Sequence, residues 1–231
     1  MLAQDSPFRP FWWGVSRTPM STYGRYEFDD LPPVPFAMSG DLGWLAAQPA
    51  PDAWGIGSAP AKELPALLSA CAALGLPLPP AFVKFAGDGE LQRRIRSCTA
   101  CFVDVSAAPV AAPGADGYLI RFLADQQGCL YWYLYVAADG SDHAVVCSPS
   151  HFGPSAYDDP DVPEDWDDPD GEPGPDEVVF CGESFEAFLC RYWLENELWF
   201  ADNESFPLPA VDAAYIEGFR AFSATEGSVT G

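Results

Sequence analysis

The sequence predicts an α+β protein: an antiparallel β-sheet of about four to six strands flanked by helices, with an irregular N-terminal arm and a long acidic loop. Three observations carry this reading. Short runs rich in β-branched and aromatic residues cluster between Thr99 and Cys147, and the breaks between them are too short for crossover helices. Apolar residues recur at three- and four-residue steps before and after that cluster, as on one face of a helix. Residues 157–177 contain eleven acids, five prolines and no Lys, Arg or His, a composition that resists packing.

Residues 1–56 read as an irregular arm (FRPFWW, YGRYEFDDLPPVPF, GWLAAQPAPDAWG). It has too many aromatics for a solvated linker, so it is expected to pack along a main body spanning residues 57–231. In residues 62–74, Leu64, Leu67, Leu68, Cys71 and Leu74 fall on one helix face, and Gly75 is a natural stop because it adopts the left-handed conformation without a Cβ clash. Pro79 and Pro80 enforce an extended approach and can start a short second helix, with Phe82 and Phe85 facing the core.

Four strands are expected next, at residues 99–105, 118–123, 129–136 and 144–147. DQQG (residues 125–128) and ADGSD (residues 138–142) carry hairpin turn chemistry between them. After the acidic stretch, residues 178–180 can return as a last strand. Ser184 is a good N-cap for a helix through SFEAFLCRYWLENELWF, and a further helix is expected over residues 211–219.

Composition bounds the function. A chain of 231 residues can bury about 70% of the surface its unfolded form exposes, so no staples are needed. Seven cysteines, an odd number irregularly spaced, do not read as a disulfide framework. The longest apolar stretch, residues 64–82, is interrupted by Pro65, Pro77, Pro79 and Pro80, which excludes a spanning helix there. MLAQDSPFRPFWWG has neither the basic n-region nor the long apolar h-region of a secretory signal, so the cytoplasm is the expected location. With 34 acids against 11 Lys and Arg the net charge is −23. Phosphate-lined partners need basic side chains, so nucleic acid and anionic membranes are disfavoured and a basic protein partner is favoured.

Motifs for chemistry are sparse. The two histidines, His143 and His151, have no G-x-S-x-G serine beside them. Cys98-x-x-Cys101 has metal-ligand spacing, and a zinc site of Cys98, Cys101, His143 and Cys147 is arithmetically possible. Against it, Cys101 falls on an expected strand, on the same face as Val103 and Val105, and two thiols in the core explain the pattern as well as zinc does. A redox CxxC wants a βαβ setting that this segment lacks. No phosphate-binding glycine motif is present, and AGDGEL reads as a turn. The acidic stretch lacks the calcium-loop register. No cofactor, metal or catalytic residue is assigned. Candidate binding residues are the carboxylates Asp158, Asp159, Asp161, Glu164, Asp165, Asp167 and Asp168, with Trp166 as an aromatic anchor among them.

Two segments, SACAALGLPLPPAFVKFA (residues 69–86) and YLIRFLADQQGCLYWYLYV (residues 118–136), resemble the opening signature and the central strand pair of the SUKH superfamily, the Smi/Knr-like fold; residues 184–200 are similar to its closing helix. The resemblance spans roughly residues 60–200 and rests on short apolar motifs. It implies helices flanking an antiparallel sheet, and a non-enzymatic role as an immunity protein that binds a toxin domain, often a nuclease, or as a regulatory protein-interaction module. The family has no shared catalytic motif. The aromatic arm and the insertion at residues 157–177 depart from its simplest pattern.

Overall fold

The computed structural model describes residues 1–16, 22–153 and 177–224. Its strands are β1 (Arg9–Val15), β2 (Tyr23–Glu27), β3 (Phe102–Val103), β4 (Val110–Ala111), β5 (Gly117–Ala124), β6 (Tyr131–Ala137), β7 (His143–Ser148) and β8 (Val179–Gly182). They form one open sheet in the order β2-β1-β8-β7-β6-β5-β3, with β4 also on β5. Every pairing is antiparallel except β1 with β8. The helices are α1 (Gly43–Ala46), α2 (Leu64–Leu74), α3 (Pro80–Gly87), α4 (Gly89–Arg93), α5 (Phe185–Glu204) and α6 (Ala213–Ser223). The fold class is the expected one.

The centre of the sheet follows from its sequence. Along β6, Trp132, Leu134 and Val136 belong to one hydrophobic cluster and Tyr133 and Tyr135 to a second. Successive side chains of a strand point to opposite faces, so an unbroken aromatic run requires both faces covered. On the first face lies α5: Phe185 and Phe188 set their rings edge-on to Phe122, with centroids 5.1 and 5.6 Å apart. The second face is closed by the chain's start and by loops, through Phe8 on Tyr135, Phe28 on Phe180 and Phe152 on Tyr133.

Local signals act as their chemistry dictates. Ser184 Oγ accepts from Ala187 N at 3.1 Å and caps α5. Gly75 ends α2 at φ 71°. Pro80 opens α3. In the β5–β6 hairpin the Asp125 carboxylate accepts from Gln127 N at 2.8 Å, and Gly128 turns the chain at φ 71°.

Three expectations are corrected. The arm of residues 1–56 is not irregular throughout: it supplies β1 and β2, which widen the sheet to eight strands. The strand expected over residues 99–105 shrinks to β3, because Ser97 Oγ accepts from Cys101 N at 3.0 Å and from Thr99 N at 3.3 Å, and Ala100 sits at φ 59°. A side-chain bond to nearby backbone thus competes with the ladder. The AGDGEL turn continues into α4, capped by Asp88, whose carboxylate accepts from Glu90 N at 2.9 Å. Among the described residues no helix is long and apolar enough to cross a membrane.

Candidate functional site

Where the cations go decides what the surface can bind. Of the 11 Lys and Arg residues, Arg17 lies outside the described residues. Three are buried, and each meets a carboxylate. Arg96 Nε and Nη2 donate to Glu197 at 2.8 and 2.6 Å, Arg191 makes a fork on Glu183 at 2.6 and 3.0 Å, and Arg121 Nε donates to Asp104 at 2.6 Å. Planar guanidinium matches carboxylate geometry, which is why arginine takes these positions. At the surface Arg93 pairs with Glu90, Lys62 with Glu63 and Arg220 with Asp202. Lys84 and Arg94 donate to the carbonyls of Asp41 and Gln48. Arg9 and Arg25 lie over the Phe11 ring at 4.4 and 4.5 Å. Each described basic side chain thus has a partner within the chain, although Lys62 and Arg93 stay largely at the surface, while the sequence carries 34 acids.

The candidate binding residues Asp158, Asp159, Asp161, Glu164, Asp165, Trp166, Asp167 and Asp168 lie outside the described residues.

The histidines and the CxxC do not converge. His143 and Cys147 occupy one strand, opposite Val136 and Trp132 of β6. Four residues of strand span about 13 Å, too far to share a metal ion. His151 instead meets a guanidinium nitrogen of Arg121 and stands edge-on to Tyr131. Among the described residues no three His, Cys, Asp or Glu side chains gather as a metal-binding group.

Cys98 and Cys101 belong to a polar network that ties four segments together. Tyr23 of β2 donates to Asp125 at 2.6 Å and lies 3.3 Å from Cys101 Sγ. Tyr192 of α5 donates to Ser97 Oγ at 3.0 Å, and Asn196 Oδ1 accepts from Cys98 N at 2.8 Å. Burial, then the neighbouring Cys101 and Asp125, drive the Tyr23 phenol far above its ordinary value; burial does the same for Tyr192. Burial first, then Glu195 and Cys101, push the Cys98 thiol up. Cys98 is thus held as a neutral thiol, the opposite of what a cysteine nucleophile requires. Cys98 and Thr99 line an open cleft of about 380 Å³ with Val15, Thr22, Gln127 and Trp199, and a neighbouring cleft of about 260 Å³ is lined by Val15, Ser16, Glu195, Trp199 and Phe219 among others.

Sequence reasoning missed the Tyr23–Asp125 bond, which joins residues 102 positions apart. It also missed Trp54, whose only signal was its place before Gly55 in PAPDAWG.

Comparison of the chain with family models, with curated proteins and with solved structures finds no match in any of the three.

Proposed function

We propose that this chain is a non-catalytic binding protein that recognises a basic protein partner, and that it acts as an immunity protein of the SUKH kind by covering the basic surface of a toxin domain. A nuclease is the favoured class of toxin, since a surface that binds phosphates is itself basic. The observation that carries the proposal is the net charge of −23, and three of the few arginines are buried on carboxylates of the same chain. Such a molecule attracts a basic protein from a distance and repels acidic ones. The carboxylates of Asp158, Asp159, Asp161, Glu164, Asp165, Asp167 and Asp168, with Trp166 among them, are the assigned contact residues.

The test is affinity capture from native lysate with the intact chain and with a chain lacking residues 157–177, read by mass spectrometry across a salt series. A basic protein retained by the intact chain and lost as salt rises is the expected result; loss on deletion places the contact in residues 157–177. Retention of no specific protein by either bait, or of a partner indifferent to salt and acidic in composition, overturns the proposal.

A further inference from the structure

Trp54 is 62% exposed, the largest exposure among the large apolar side chains described. Its backbone lies at φ 68°, a conformation in which a bulky residue is a genuine outlier. The chain around it is clamped. Ser97 N donates to Trp54 O at 3.0 Å, Ile56 N donates to Ile95 O at 2.8 Å, and Gly55 bridges to Arg96. A Cβ on Gly55 would stand 3.1 Å from Arg93 O, so glycine permits the close approach of the two segments. The backbone that carries the exposed indole is therefore held in place. Strain of this kind persists where the surroundings over-determine it, and it gathers at functional positions.

The indole continues an aromatic strip. Its ring lies 6.4 Å from Phe200, which lies 5.7 Å from Phe206, itself 42% exposed. This strip already holds one arginine. The Arg96 guanidinium sits 4.4 Å from the Phe200 centroid and 4.3 Å from that of Phe206, with Glu197 closing the pair. Ring faces carry negative charge density and guanidinium is weakly hydrated, so the two stack favourably.

We propose that Trp54 and Phe206 form a docking surface for an arginine side chain of a basic protein partner, which the indole face receives as Phe200 and Phe206 receive Arg96. The proposal rests on the basic-partner reading above and adds where one contact is made. Charge complementarity selects this occupant. The chain carries −23, and exposed Asp52 stands two residues before Trp54. The nearby cations are engaged: Arg96 by Glu197, Arg93 by Glu90, and Arg94 by the Gln48 carbonyl.

The test uses the full chain, with hexa-arginine, hexa-lysine and an uncharged glycine–serine peptide as probes. The Trp54 indole N–H resonance, assigned by its loss in Trp54→Phe, reports the contact. The expected result is a saturable shift of that resonance with hexa-arginine, and about tenfold weaker binding to Trp54→Ala. Hexa-lysine binds more weakly than hexa-arginine, and the uncharged peptide leaves the resonance unmoved. Phe206→Ser is a second variant expected to weaken binding, and unfolding midpoints of both variants show that the fold is intact.

Equal affinity of hexa-arginine for wild type and Trp54→Ala, with the resonance unmoved, overturns this surface and leaves the basic-partner reading standing. Failure of the wild type to bind either cationic peptide at low salt overturns both. A wild-type dimer that Trp54→Ala abolishes assigns the patch to a second copy and also overturns the proposal.

Discussion

Arg96 and Glu197 meet across 101 positions of sequence in a two-pronged ion pair, with the arginine side chain 4% and the carboxylate 13% exposed. The pair joins the segment after α4 to the second half of α5, and it does so beneath two aromatic rings. Removing one partner leaves the other charge buried without compensation. Arg96→Ala is expected to cost about 3 kcal/mol, and Arg96→Lys to recover only part of that, since an ammonium cannot make the fork. Replacing both residues by methionine should cost less than either single alanine change. Urea midpoints of the variants check the order.

Gly89 opens α4, where alanine would ordinarily favour a helix by up to about 1 kcal/mol. Here a Cβ would stand 2.5 Å from Ser58 C and Ala59 N, which are backbone atoms. The clash outweighs the propensity, and Gly89→Ala is expected to destabilise by about 1–3 kcal/mol. A thermal melt that rises instead of falling would contradict the packing of residues 58–59 against α4.

Stability should fall in acid partly through Glu183. Burial pushes its carboxyl up, but the hydrogen bonds and charge of Arg191 outweigh burial and hold it below the ordinary value of 4.5. As pH drops below that value the unfolded chain binds the proton before the folded one does. The contribution of the pair is therefore complete above pH 4.5 and is lost as pH falls through the folded value. Glu183→Gln is expected to flatten this limb of the stability profile, measured by denaturant unfolding across acid pH.

The thiols should react unequally. Cys129 is exposed, whereas Cys71, Cys101, Cys147, Cys181 and Cys190 are buried. Burial also drives the Cys190 thiol up to about 12 and raises Cys98 further. Iodoacetamide near neutral pH is expected to label Cys129 in a fast phase, which Cys129→Ser removes. Cys98 is only partly covered, but its raised thiol should make it react more slowly than Cys129; labelling of Cys98 as fast as that of Cys129 would contradict this order.

Signals carried by neighbouring residues were legible in the sequence. Ser184 with the aromatic spacing behind it announced α5, Gly75 announced the end of α2, and DQQG announced the β5–β6 hairpin. The first strand was hidden by Pro10, which argues against a strand interior. In the structure Arg9 and Pro10 pair with β8, while Phe11 onward pairs with β2. The proline thus stands where the strand passes from one neighbour to the other. The Ser97 turn that shortened β3 depends on a side chain choosing nearby backbone over the ladder, which strand propensity does not express. Of the site, the charge imbalance could be read directly. The engagement of the arginines and the exposure of Trp54 depend on contacts between distant segments.

The parallel pairing of β1 with β8 sets an order of events for the growing chain. Arg9 lies beside Val179, so the ribosome must deliver some 170 further residues before β1 finds its inner neighbour. Until then the β1–β2 hairpin is a ribbon that cannot join the β5–β6–β7 meander, and two-stranded ribbons are marginal by themselves. Contacts this remote in sequence slow folding, because a long loop must close before they form. The aromatic residues Phe11 and Trp12 are therefore synthesised early and buried late, and a nascent chain arrested before β8 would present them to chaperones.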